Sequence, residues 1–155
     1  MKVQLLNCYV TAAAEILATE TGAEVERQGI SMEANGYTTE EVTAVVGITG
    51  SLSGSLLLSM GTSTALGLVS AMLGQPTEVF DDLAKSGIAE LANVIAGHAA
   101  IALSEQSHET TISPPLLLVG AGAQLSMFDM KRLVVPLVTA RGLVRVHVAL
   151  REVAS

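Results

Sequence analysis

The sequence predicts an α+β domain: an N-terminal helix, three strands, two helices and three strands, with the helices packed on a largely antiparallel sheet. Three observations carry this. Apolar residues recur at helical spacing in the first twenty residues and again in the middle of the chain. In two other regions they alternate with polar ones, as strands do. Gly or Pro stands where each periodic run stops.

Residues 2–21 read as the first helix, because Leu5, Leu6, Tyr9, Val10, Ala13, Ile16 and Leu17 share one face and Gly22 offers a C-terminal stop. Residues 24–33 read as extended, and Asn35-Gly36 as a loop, since both residues accept positive φ. Residues 42–48 alternate as a strand, and the 50–54 region turns the chain back into residues 55–60. The next helix covers about residues 63–73, with Leu66, Val69, Ser70 and Leu73 on one face and Gly74 then Pro76 ending it. A longer helix is expected from Thr77 as N-cap to about Leu103 or Glu105, with Glu78, Asp81 and Asp82 in the positive field of its first turn. Ser113-Pro114-Pro115 cannot continue a helix and redirects the chain into Leu116–Val119. Residues 133–139 and 143–150 then form a hairpin about Ala140-Arg141-Gly142, with Val144, Val146, Val148 and Leu150 on one buried face. No internal repeat, linker or low-complexity tail is evident, so residues 1–155 are expected to form one domain.

Half of the residues are hydrophobic, 15% are charged and 3% are aromatic, with no Trp. The core must therefore be aliphatic, built from Leu, Val, Ile, Ala and Met. A net charge of −7 argues against nucleic acid, and no Lys/Arg cluster suggests an anionic membrane surface. No charge occurs between Val42 and Thr77, but Ser, Thr and Gly interrupt that stretch too often for a membrane span. The first residues do not read as a secretory signal, so the chain is expected to be cytoplasmic. Cys8, the one cysteine, excludes an intrachain disulfide and a Cys-based zinc cage, and is expected to be a buried, inert thiol.

The chemistry concentrates between Asp82 and Gly97. At about 100° per residue, Ser86, Glu90 and Asn93 fall within an arc of roughly 60°. Ala84, Ile88, Leu91, Ile95 and Ala99 form the opposite, buried stripe. Gly87, Ala89, Ala92, Ala96 and Gly97 leave the flanks bare, so another protein's backbone could approach Glu90 and Asn93 closely. Spacing alone is equally what any amphipathic helix with a polar outer face would show.

The longer pattern is more specific. Ser86-x3-Glu90-x2-Asn93, the string Glu90-Leu91-Ala92-Asn93-Val94-Ile95-Ala96-Gly97, and Ile112-Ser113-Pro114-Pro115 some twenty residues on resemble the CheC/CheX/FliY chemotaxis phosphatases. The order of elements matches along the whole chain. The resemblance implies a phosphatase that removes the aspartyl phosphate of a CheY-type response regulator. It implies that Glu90 pairs with the regulator's active-site Lys and that Asn93 orients the attacking water. Ser86, Gly87, Ala89, Gly97 and Pro114 would shape or contact the partner. It implies Mg²⁺ in the regulator and no cofactor bound by this chain. A single copy of the motif, with no second Glu-x2-Asn pair in residues 2–22, resembles the CheX-like branch and implies a homodimer. The alternative is a non-catalytic binder of a response regulator, or a scaffold resembling those of the flagellar switch.

Other signals are set aside. Gly120-Ala121-Gly122 lacks the third glycine and following helix of a dinucleotide fingerprint. His98 and His108 do not share a helical face, Ser104, Glu105 and His108 lack a nucleophile elbow, and His147 falls on the outward face of the last strand. That strand, with Arg145 and His147, and its neighbour with Pro136 are expected to form a poorly protected sheet edge that a second copy would cover.

Overall fold

The computed structural model describes residues 3–34, 36–126 and 130–153. Helix α1 (Val3–Thr21) is followed by β1 (Glu26–Arg27), β2 (Ser31–Glu33), β3 (Tyr37–Thr38), β4 (Val42–Gly50) and β5 (Leu52–Met60). Then come α2 (Thr62–Leu73), α3 (Asp82–Glu105), β6 (Thr110–Ile112), β7 (Leu116–Val119), β8 (Gln124–Leu125), β9 (Arg132–Thr139) and β10 (Gly142–Glu152). The α+β class and the order of the long elements agree with the sequence reading. β1 and β2 both fall in the stretch 24–33 that reads as extended, whereas the short β3, β6 and β8 leave no mark in the sequence, since two or three residues show no periodicity. Asn35, assigned to a loop, lies outside the described residues.

Four long strands make the centre of an antiparallel sheet in the order β9-β10-β5-β4. Val42, Val46, Leu56, Leu58, Leu133, Val135, Val144 and Val146 point from it into one apolar cluster with Leu5, Tyr9 and Leu17 of α1, Leu68 of α2, and Ile88, Leu91 and Ile95 of α3. Gly74 adopts φ 68° and ends α2 as expected. The start of α3 is different. Its N-cap is Asp81, whose carboxylate accepts the Ala84 N–H at 3.0 Å. Thr77 instead donates its N–H to Ser70 Oγ at 2.9 Å, tying the linker to α2. The hairpin turn is also tighter than expected. Val42 faces Met60 and Ile48 faces Gly54, so Gly54 lies inside β5. A Cβ there would collide with the Ala149 carbonyl of β10, so only Gly lets the two strands approach.

The expected sheet edge is not one. β10 is paired on both sides, with β5 and with β9. The outer strands are β1 and β2 on β9, and β6 and β7 on β4. Both borders share one plan. A kink of three residues, 28–30 or 113–115, separates the two short strands, and its first N–H reaches the long strand: Gln28 to the Pro136 carbonyl at 2.8 Å, Ser113 to the Gly47 carbonyl at 2.9 Å. Pro136 stands opposite the 28–30 kink, where the ladder between β9 and its outer strands is interrupted. The sequence shows no repeat, yet the backbone repeats helix, kinked border and hairpin strand.

His147 is a further correction. It points away from the helices, as alternation demands, but it is 4% exposed. The Tyr37 ring lies over it with centroids 4.6 Å apart. Arg132 Nε donates to its Nδ1 at 3.2 Å, and its Nε2 lies 3.4 Å from Ser59 Oγ. Glu33 and the ion pair of Arg145 with Glu40 complete the charged surroundings. Burial, with Arg132 second, lowers the His147 pKa from 6.5 to about 4. The folded state thus favours neutral imidazole. That stabilisation is fully present above pH 6.5 and is lost progressively as pH falls from 6.5 through about 4. Its size is on the order of 3 kcal/mol. Urea melts at pH 7 and pH 4.5 should show wild type losing more stability on acidification than His147→Asn. Parallel losses would refute the assignment.

Candidate functional site

Helix α3 has the length and apolar composition of a membrane span. Its apolar stripe faces the sheet: Ala84, Ile88, Leu91, Ile95 and Ala99 are all buried. That burial fixes the rotation of the helix, so Ser86 and Glu90 are exposed and Asn93 is half-buried.

The opposite wall comes from the kink between β6 and β7. Ser113 holds it in place: its N–H donates to the Gly47 carbonyl and its Oγ accepts the Gly47 N–H at 2.8 Å. The side chain thus supplies an acceptor where the ladder is interrupted, and Pro114 and Pro115 stiffen the bend. Between the walls lies a groove of about 520 Å³, lined by Ser86, Ala89, Glu90, Asn93, Ile112, Ser113, Pro114 and Pro115. Five residues singled out from sequence, Ser86, Ala89, Glu90, Asn93 and Pro114, therefore meet in one place. Gly87 and Gly97 do not line it. A Cβ on Gly87 would sit 3.3 Å from Val69 Cγ2, so this glycine lets α2 and α3 pack. Gly97 faces open space. In the sequence Ser113 stands out only within the chain break and the string Ile112-Ser113-Pro114-Pro115, because its anchoring role depends on Gly47, which is far away in sequence.

The repeated plan of the fold gives α1 a matching position. Leu5, Leu6, Tyr9, Val10, Ala13 and Leu17 are buried at the same mutual spacing as Leu91, Ala92, Ile95, Ala96, Ala99 and Leu103. That spacing matches Gln4 with Glu90 and Asn7 with Asn93. On α1 the carboxylate is absent, and Arg27 donates to Asn7 Oδ1 and Thr11 Oγ1, both at 3.1 Å. An amide whose oxygen is already engaged is a poor holder of water. Cys8, expected to be buried, is half-buried beside Asn7 and accepts the Gln106 Nε2–H at 3.3 Å. Among the described residues, no three His, Cys, Asp or Glu side chains cluster to hold a metal ion.

In α3 a carboxylate and a neutral amide, one turn apart, face an open groove. Comparison with known proteins gives this arrangement a family. Residues 42–137 match the family model described as chemotaxis phosphatase CheX. The chain is 31% identical to the CheY-P phosphatase CheX of Thermotoga maritima over 129 residues, 83% of each protein. Among solved structures it is similar to the chemotaxis protein CheX of Desulfovibrio desulfuricans, with TM-score 0.85, 28% identity, and 96% and 99% of the two chains covered. It is also similar to CheX in the Borrelia burgdorferi complex of CheX with CheY, BeF₃ and Mg²⁺, with TM-score 0.82, 25% identity, and 97% and 100% covered. The chain belongs to the CheX family of chemotaxis phosphatases.

Proposed function

We propose that the protein hydrolyses the aspartyl phosphate of a CheY-type response regulator by inserting Glu90 and Asn93 into the regulator's active site. The observation that carries this reading is the exposed groove in which Glu90, Asn93 and Pro114 meet. The phosphatase activity of the Thermotoga relative and the CheY partner of the Borrelia one support it.

The reaction needs little from this chain beyond positioning. The Mg²⁺ and Lys that neutralise the phosphoryl oxygens belong to the regulator. Phosphoryl transfer then depends on a water held in line with the breaking P–O bond. The Asn93 amide oxygen accepts one hydrogen of that water without bringing negative charge near the phosphoryl group. Glu90 pairs with the regulator's Lys and sets the register of docking. Pro114 and Ser86 shape the groove around them. The test is phosphate release from phosphorylated CheY-type regulators with and without the protein. Faster release is expected; tight binding without release would instead leave a scaffold.

The same reading carries a cytoplasmic homodimer with one active helix per subunit. The outer strands give it a surface, since Leu116 and Val119 of β7 and Met32 of β2 are exposed apolar side chains at the two sheet borders. Light scattering at micromolar concentration is expected to give twice the 16.0 kDa chain mass. A mass near 16.0 kDa would refute the dimer.

A further inference from the structure

Leu83 has no packing role that explains it. It is 61% exposed in the first turn of α3, next to Ala84, which is fully buried. Seven residues before Glu90, about two helical turns, it lies on the same line of the helix surface. Along that line the neighbouring positions are polar or bare: Ser86, Glu90, Asn93 and Gly97. In the chain it follows the exposed acidic residues Glu78, Asp81 and Asp82, of which Asp81 caps the helix, and the exposed Val79; Lys85, half-buried, comes two residues after it. An exposed aliphatic side chain in a helix turn led by acidic residues fits a partner surface with an apolar patch bordered by amino groups.

We propose that Leu83 is an apolar anchor for the same phosphorylated regulator, buried beside its phosphorylation pocket, and that it determines which regulator the groove serves. This rests on the docking reading above, because Glu90 and Asn93 cannot enter a regulator without bringing the surface one or two turns away onto it. A buried Leu at the centre or near rim of such a contact supplies affinity without touching the reacting atoms. The carboxylates then select among regulators by the charges that border the patch.

The test is a titration of wild-type protein and Leu83→Ser with each CheY-type regulator of the same organism, activated by BeF₃ and Mg²⁺. Because Leu83 is exposed, the variant should fold normally, which a thermal melt verifies. Binding of the preferred regulator is expected to weaken about tenfold. With phosphorylated regulator the loss should appear in KM and not in kcat. Discrimination between regulators should narrow. Equal affinities for wild type and Leu83→Ser would overturn the inference while leaving the docking reading intact. Absence of wild-type binding to any regulator would overturn both. Dissociation of a wild-type dimer by Leu83→Ser, seen by light scattering, would reassign the residue to a contact between copies.

Discussion

Asn93→Ala is expected to lose a factor of about 10²–10³ in kcat while still binding phosphorylated regulator. The amide is half-buried at the groove wall, held there because Leu91, Ala92, Ile95 and Ala96 on either side of it are buried. Its position is thus set before any partner arrives. Such preorganisation is what makes a single polar group effective in a transition state. On the proposed mechanism, truncation to Ala removes the acceptor for the water hydrogen and leaves the backbone and neighbouring Glu90 in place. Single-turnover phosphate release measures the rate, and titration measures the binding. Turnover like that of the wild type in Asn93→Ala would sink the water-orienting role. Asn93→Asp separates geometry from charge. It keeps an acceptor but adds a negative group near the phosphoryl oxygens, so it should also be slow.

Legibility in the sequence followed the length over which a physical constraint acts. The long elements were readable because burial imposes periodicity on them: Val144, Val146, Val148 and Leu150 alternate, and α3 carries its stripe from Ala84 to Ala99. The place of Glu90 and Asn93 followed from that stripe, since a helix with one face fixed has its other face fixed too. Contacts between distant segments left no such trace. The start of α3 was placed at Thr77 because Thr is a good cap, but Ser70 had claimed its N–H, and Asp81 capped the helix. Gly54 looked like a turn residue, whereas its need is the close approach of β10. Gly87 looked like room for a partner, whereas Val69 of α2 fills that side. His147 was placed on the correct face of β10 and wrongly exposed, because the cover comes from Tyr37 and Arg132, each from another part of the chain. Position 93 could be found by pattern; the Ser113 anchor that walls its groove could not.

Glu90→Gln tests docking separately from chemistry. The substitution keeps the size and hydrogen-bonding reach of the side chain and removes its charge. In the free protein Glu90 is exposed, so the loss of charge should leave folding untouched. In the proposed complex the carboxylate would leave water and meet the regulator's Lys inside a closed contact. A desolvated ammonium left without its counter-charge costs about 2–5 kcal/mol, which should appear as a correspondingly weaker complex. The groove around Glu90 is otherwise uncharged, being formed by Ser, Ala, Asn, Ile and Pro, so no neighbouring carboxylate can take over the pairing. The pair also predicts a salt signature. Added salt should weaken the wild-type complex more than the Glu90→Gln complex, because screening acts on a contact the variant lacks. Asn93→Ala should retain the wild-type salt dependence, which distinguishes the two roles in one set of titrations. Unchanged affinity and unchanged salt dependence in Glu90→Gln would mean that the carboxylate does not meet the Lys, and Glu90 would then have to act on the water itself.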